Sequence, residues 1–215
     1  MIAMRWNKLV ALFFLLLVGL PGSVSASTIL VWGDSLCAAY GMRVEQGWVA
    51  LLESRLLSES SPASNIVNGC ISGETSSGGL NRLPAALEVH QPDILILGLG
   101  SNDGLRGQPL GQLKNNLRQM IELARAEGAQ VLLLGNRIPP NYGAPYTDGF
   151  ARVYAELSSS EEVPLVPFLL DRVATDFSLL MVDGLHPRPE AQTLLLENVW
   201  PYLEPLINQA RVSSG

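Results

Sequence analysis

Two short runs, "DILILGLG" (residues 93–100) and "QVLLLGN" (residues 130–136), are apolar at consecutive positions and do not alternate with polar residues. Successive side chains of a strand point to opposite faces, so an unbroken apolar run of strand length belongs in a sheet covered on both sides. Residues 28–32, 65–68 and 165–167 extend the series, giving five strands with 93–99 as the third and 130–135 as the fourth. Between them, residues 48–58, 80–90, 110–127 and 149–158 carry apolar side chains at helical spacing, and 189–207 reads as a last helix. Strands alternating with helices imply an α/β fold: a parallel sheet with right-handed crossovers in a three-layer α/β/α sandwich. Pro201 and Pro205 fall inside the last helix, which is therefore expected to kink or end early. Ligands of such sheets bind beyond the carboxyl ends of the strands, which directs attention to the loops after strands one to four and before the last helix.

The first 26 residues stand apart. Arg5 and Lys8 precede a twelve-residue apolar stretch at 9–20, Pro21 and Gly22 break it, and Val24-Ser25-Ala26 supplies small residues. That order is the pattern of a signal peptide, residues 1–26, cleaved after Ala26. Twelve residues fall short of the roughly 20 that span a bilayer. Residues 27–215 are thus expected to form a single domain, periplasmic or secreted, without stable membrane insertion; an uncleaved leader acting as an anchor is the alternative. With Arg5 and Lys8 removed, 12 basic residues face 20 acidic ones, a net charge of −8 with no basic stripe, which argues against a nucleic-acid partner. Two cysteines, Cys37 and Cys70, are too few for a disulfide scaffold or a zinc site. In an oxidising compartment they form either one bridge or two buried thiols, and the sequence leaves both open.

After the first strand comes Gly33-Asp34-Ser35-Leu36. Asp and Ser are good helix caps, and such a cap accounts for the motif taken alone. The alternative is a nucleophile: Ser35 Oγ at a strand-to-helix turn, with its own N–H aimed at a developing oxyanion. A serine needs a base, and the chain holds only His90 and His186. His90 precedes the third strand, at the wrong end of the sheet. His186 lies in "MVDGLHPRPEA", just before the last helix, with Asp183 three residues upstream. A short Asp-x-x-His loop lets the carboxylate orient the imidazole, leaving its other nitrogen for the serine proton. After the second strand, Gly73 in "NGCISGETSSGG" lacks a Cβ and can bring a backbone N–H close to a reacting oxygen. After the third, Gly98-Leu99-Gly100 begins like a dinucleotide fingerprint, but Asp103 stands where the third glycine belongs and no helix is expected directly after it. Asn102 in that loop is a neutral amide donor suited to an oxyanion. Each residue alone has an ordinary turn or cap reading; together, four loops at one end of one sheet supply a nucleophile, its base, an orienting acid and three oxyanion donors.

These blocks resemble the SGNH or GDSL hydrolase family: "GDSL" with Ser35, Gly73 in "ISGETSSGGL", "GSND" with Gly100 and Asn102, and "DGLHP" with Asp183 and His186. The likeness covers the whole chain after the leader. It is strongest to the periplasmic multifunctional esterases, also described as acyl-CoA thioesterase I, lysophospholipase or arylesterase, through "SNDGLRG", "RIPPNYGAPY" and "VPLVPF". The resemblance implies a flavodoxin-like sheet of order 2-1-3-4-5 and hydrolysis of carboxylic esters and thioesters without cofactor or metal, by a monomer acting on small acyl substrates. Departures lie at Cys37 and Cys70, where that subfamily usually has small non-cysteine residues. Cys37 also breaks the Gly-x-Ser-x-Gly elbow of ordinary α/β-hydrolases. The expected catalytic residues are Ser35, His186 and Asp183, the expected oxyanion donors Ser35, Gly73 and Asn102, and Asp34 is expected to organise its own turn. Loops 104–111, 138–146 and 175–184 are expected to line an acyl groove. Alternatives are a carbohydrate O-acetylesterase of the same fold or a catalytically dead secreted binding module, with peptidase-like cleavage of activated esters as a side activity.

Overall fold

The computed structural model describes residues 27–58 and 64–213; the expected signal peptide at 1–26 lies outside them. Five parallel strands, β1 (Thr28–Gly33), β2 (Asn65–Asn68), β3 (Ile94–Gly98), β4 (Gln130–Leu134) and β5 (Leu165–Val166), form one sheet of order β2-β1-β3-β4-β5. Among the described residues six α-helices pack around it: α1 (Trp48–Ser58), α2 (Ser76–His90), α3 (Ser101–Leu105), α4 (Leu110–Ala126), α5 (Ala144–Ser160) and α6 (Gln192–Ser213). The unbroken apolar strands are explained by two separate cores. Ile29, Val31, Ile94, Ile96, Leu132 and Leu134 face α1 and α6, while Leu30, Trp32, Leu95, Leu97, Val131 and Leu133 face α2, α4 and α5. Adjacent residues of each strand thus go to opposite cores, and both faces are dry.

Four helical boundaries differ from expectation. The helix α5 begins at Ala144, five residues before the expected 149, with Pro145 in its first turn. The helix α2 starts at Ser76, earlier than the apolar spacing suggests, because the Thr75 hydroxyl accepts the Gly78 N–H at 3.2 Å and caps it. A short helix, α3, follows Gly100 directly; with only five residues it offers too little periodicity to be read from sequence. The last helix neither starts at Pro189 nor ends early. A 3-10 turn at Pro189–Ala191 leads into α6, which continues through Pro201 and Pro205. Both prolines, and the Glu197 carbonyl freed by Pro201, are on the exposed side, where water serves the unpaired groups. Leu195, Val199, Leu203, Leu206 and Ala210 meanwhile anchor the other side in the core. Among the described residues no helix is long and apolar enough to cross a membrane.

Strand register sets up the site. Gly33 pairs with Gly98 across β1 and β3, so the chain leaves both strands side by side, with Ser35 two residues on and Asn102 four. His90 ends α2, exposed, at the amino end of β3.

Candidate active site

The carboxyl ends of the strands open on a cleft of about 560 Å³ whose walls include Ser35, Gly73, Asn102 and His186. Past β1 the chain makes one tight turn and no regular helix: the Cys37 and Ala38 N–H groups both reach back to the Asp34 carbonyl, at 3.2 and 3.1 Å. The cap reading therefore belongs to Asp34, whose Oδ1 accepts the Leu36 N–H at 3.0 Å, and leaves the Ser35 side chain free. Gly33 is required by close approach, since a Cβ there would lie 2.7 Å from the Gly98 carbonyl oxygen and collide with the Cys37 sulfur. Trp48 braces the turn, its indole N–H donating to the Leu36 carbonyl at 2.9 Å. Cys37 and Cys70 form a disulfide, with 5.8 Å between their Cα atoms, and no free cysteine remains. Of the two states left open by sequence, the bridge is the one adopted; it joins the Ser35 turn to the loop carrying Gly73.

Ser35 Oγ lies 2.8 Å from His186 Nε2, and His186 Nδ1 lies 2.7 Å from Asp183 Oδ2. The other Asp183 oxygen accepts the backbone N–H groups of Leu185 and His186 at 2.9 and 3.0 Å. Partial burial works to raise the Asp183 carboxyl, but these two N–H groups and the imidazole outweigh it and hold the pKa at about 2. An ionised Asp183 accepts at Nδ1, which places that ring proton there and turns the Nε2 lone pair toward Ser35. The loop itself is clamped: Met181 N–H donates to the His186 carbonyl at 2.7 Å, and Leu180 and Pro187 form an antiparallel bridge. The ring of Tyr40, which the sequence did not single out, lies 4.3 Å from the imidazole centroid.

Gly73 and Asn102 face the same cleft from the loops after β2 and β3. Gly73 has φ +81°, a left-handed conformation that favours glycine, and a Cβ there would meet nothing nearer than Arg106 Nη2 at 4.0 Å. The residue type is thus set by the backbone and not by crowding. The Asn102 amide donates to the Glu74 carbonyl at 2.9 Å, which fixes it and leaves its second N–H for a ligand. Beneath these loops is a buried polar cluster not anticipated from sequence. Asp103 accepts the Ser76 N–H at 2.8 Å and the Ser76 hydroxyl at 2.5 Å, while Asn116 donates to that hydroxyl at 2.9 Å. It ties the starts of α2 and α3 to α4; the only sequence signal was an acid directly after Asn102.

Asp34 is fully buried, and its Oδ2 is the one buried side-chain polar atom without a hydrogen-bond partner among the described residues. Burial pushes its carboxyl up to about 6, against the pull of the Leu36 N–H, Ser101 and His186. Of the loops expected to line the cleft, 104–111 contributes only Leu105, 138–146 gives Ile138, Pro139 and Pro140, and 175–184 gives Thr175, Phe177, Leu180 and Gly184. Phe168, Leu170 and Ala174, from the segment after β5, complete the apolar wall.

A parallel sheet covered on both faces, with serine, histidine and aspartate in hydrogen-bonded series at its carboxyl end, is the arrangement that a serine hydrolase requires. Comparison with known proteins agrees and is more specific. The chain belongs to the GDSL-like lipase/acylhydrolase family, whose model matches residues 31–194. It is 50% identical over 193 residues to esterase TesA of Pseudomonas aeruginosa, spanning 90% of this chain and 96% of that one. It is 40% identical over 205 residues to thioesterase 1/protease 1/lysophospholipase L1 of Escherichia coli K12, spanning 95% of each. Among solved structures, the psychrotrophic esterase EstA of Pseudoalteromonas sp., inhibited by monoethylphosphonate, superposes with a TM-score of 0.80 at 37% identity, covering 85% of this chain and 99% of EstA.

Proposed function

We propose that the chain hydrolyses carboxylic esters and thioesters of acyl chains through a covalent acyl-enzyme on Ser35. His186 Nε2 takes the Ser35 proton as Oγ attacks the acyl carbonyl, and Asp183 holds the imidazole and stabilises its charged form. The oxyanion is received by the Ser35 and Gly73 N–H groups and the Asn102 amide. His186 returns its proton to the departing alcohol or thiol, and a water activated by the same ring then releases the acid. The observation that carries the reading is the unbroken series of 2.8 and 2.7 Å contacts from Ser35 through His186 to Asp183.

Acyl-CoA thioesters, lysophospholipids and aryl esters are the proposed substrates, in keeping with the names of the relatives. The apolar wall of Ile138, Phe168, Leu170, Phe177 and Leu180 favours a long acyl chain over the acetyl group of a carbohydrate O-acetylesterase. We place the enzyme in the periplasm or outside the cell, as a monomer made of residues 27–215 after removal of 1–26. Ser35→Ala should abolish hydrolysis of a p-nitrophenyl dodecanoate while leaving the thermal midpoint within about 2 °C, a surface-scale change. Retained activity would refute the assignment, and an acetyl-only profile in the unaltered enzyme would refute the acyl groove.

A further inference from the structure

A second groove, of about 430 Å³, lies against the cleft and shares two of its walls, Arg137 and Phe168. The Arg137 guanidinium carbon is 4.9 Å from the centroid of the Phe168 ring, so this stacked pair is the partition between the two spaces. The chemistry changes across it. The cleft walls are mainly apolar, whereas the groove presents Asp171, Arg172, Glu197, Asn198 and the Tyr202 ring.

Two of the four charges in the groove neutralise each other. Arg172 Nη2 is 3.4 Å from Glu197 Oε2 and 2.9 Å from Asn198 Oδ1. Arg137 and Asp171 remain, one cation and one anion, with no ion-pair partner among the described residues and not paired to one another. Their backbones are nonetheless fixed. The Arg137 N–H donates to Asn136 Oδ1 at 2.7 Å, the Asp171 N–H donates to the Phe168 carbonyl at 3.2 Å, and the Asp171 carbonyl accepts Asn198 Nδ2 at 2.9 Å. A groove offering one free cation and one free anion complements a ligand carrying both charges.

Resting on the hydrolase reading above, we propose that this groove is a leaving-group subsite for a zwitterionic phosphodiester head, with the phosphate on Arg137 and the ammonium on Asp171. The phosphate suits the guanidinium as a charge-assisted acceptor, and the ammonium suits the Asp171 carboxylate, with Tyr202 in the lining of the same groove.

The test measures kcat/KM for three esters of one acyl chain, each below its critical micelle concentration: a lysophosphatidylcholine, a lysophosphatidylglycerol and the p-nitrophenyl ester. Arg137→Gln should lower the ratio of either phosphate ester to the p-nitrophenyl ester about tenfold, the scale of one charge-assisted hydrogen bond, with Arg137→Lys recovering part of it. Asp171→Asn should lower the ratio of choline to glycerol head about tenfold, through KM. Unchanged ratios in both variants would overturn the subsite. Failure of the unaltered enzyme to cleave even the p-nitrophenyl ester would instead overturn the hydrolase reading beneath it.

Discussion

Replacing Asp34 by Asn should make the protein more stable above neutral pH, although the residue is buried beside Ser35. The carboxyl has an ordinary value of 3.8 and is raised by burial to about 6. A raised folded-state value means that the folded protein holds this proton more tightly than the unfolded chain does. Stability from this group is therefore greatest below 3.8 and is lost as pH rises through 6. A gap of about two units corresponds to about 3 kcal/mol, fully felt by pH 8. Asn has nearly the same shape, keeps an acceptor for the Leu36 N–H and does not titrate. Urea unfolding of both proteins at pH 4, 6 and 8 reads the effect, because titrating groups remote from Asp34 cancel in the difference. The variant should gain about 2.5 kcal/mol relative to the unaltered protein between pH 4 and pH 8, since the unfolded carboxyl is already partly ionised at pH 4, or about 5–10 °C in thermal midpoint for a chain of this size. A difference that does not change with pH would refute the reasoning. One that moves the opposite way would mean that Asp34 is held ionised.

Removing the Cys37–Cys70 bridge, which closes a separation of 33 residues, should cost about 4 kcal/mol by loop entropy, measured as the shift in urea unfolding of the double Ser variant. A cost below about 1 kcal/mol would show that the Trp48 and Gly33 contacts hold the turn without it. Asn102→Ala should reduce kcat on the order of 10²-fold with little change in KM, as expected for one oxyanion donor; an equal rise in KM would place Asn102 in ground-state binding instead. Gly73→Ala meets no neighbour closer than 4.0 Å, so its penalty should be the roughly 1–2 kcal/mol of a left-handed backbone. Calorimetry reads that directly, and a larger loss would point to a clash.

Local chemistry made much of this molecule legible in its sequence. The runs at 93–100 and 130–136 required a doubly covered sheet, and the two cores on either side of β3 and β4 satisfy that requirement. His186 was identifiable because a chain with two histidines places only one of them at the right end of the sheet, and Ser35, His186 and Asp183 do come together. What escaped depended on three-dimensional context. The helix α6 survives two prolines because they face solvent, and α3 is too short for periodicity to register. Whether Cys37 and Cys70 pair depends on a Cα separation that only the adjacency of β1 and β2 determines. Burial of Asp34 and the charge left on Arg137 and Asp171 likewise follow from what surrounds them, since neither residue type nor spacing records which partner a neighbour has already taken.

If Ser35 is the nucleophile and His186 its base, the mass of the intact protein after brief exposure to a fluorophosphonate will register both roles. One adduct per chain should form, located on Ser35, absent in Ser35→Ala and formed at least about 10²-fold more slowly in His186→Ala. An adduct on any other residue, or labelling of Ser35 that proceeds equally fast without His186, would contradict it.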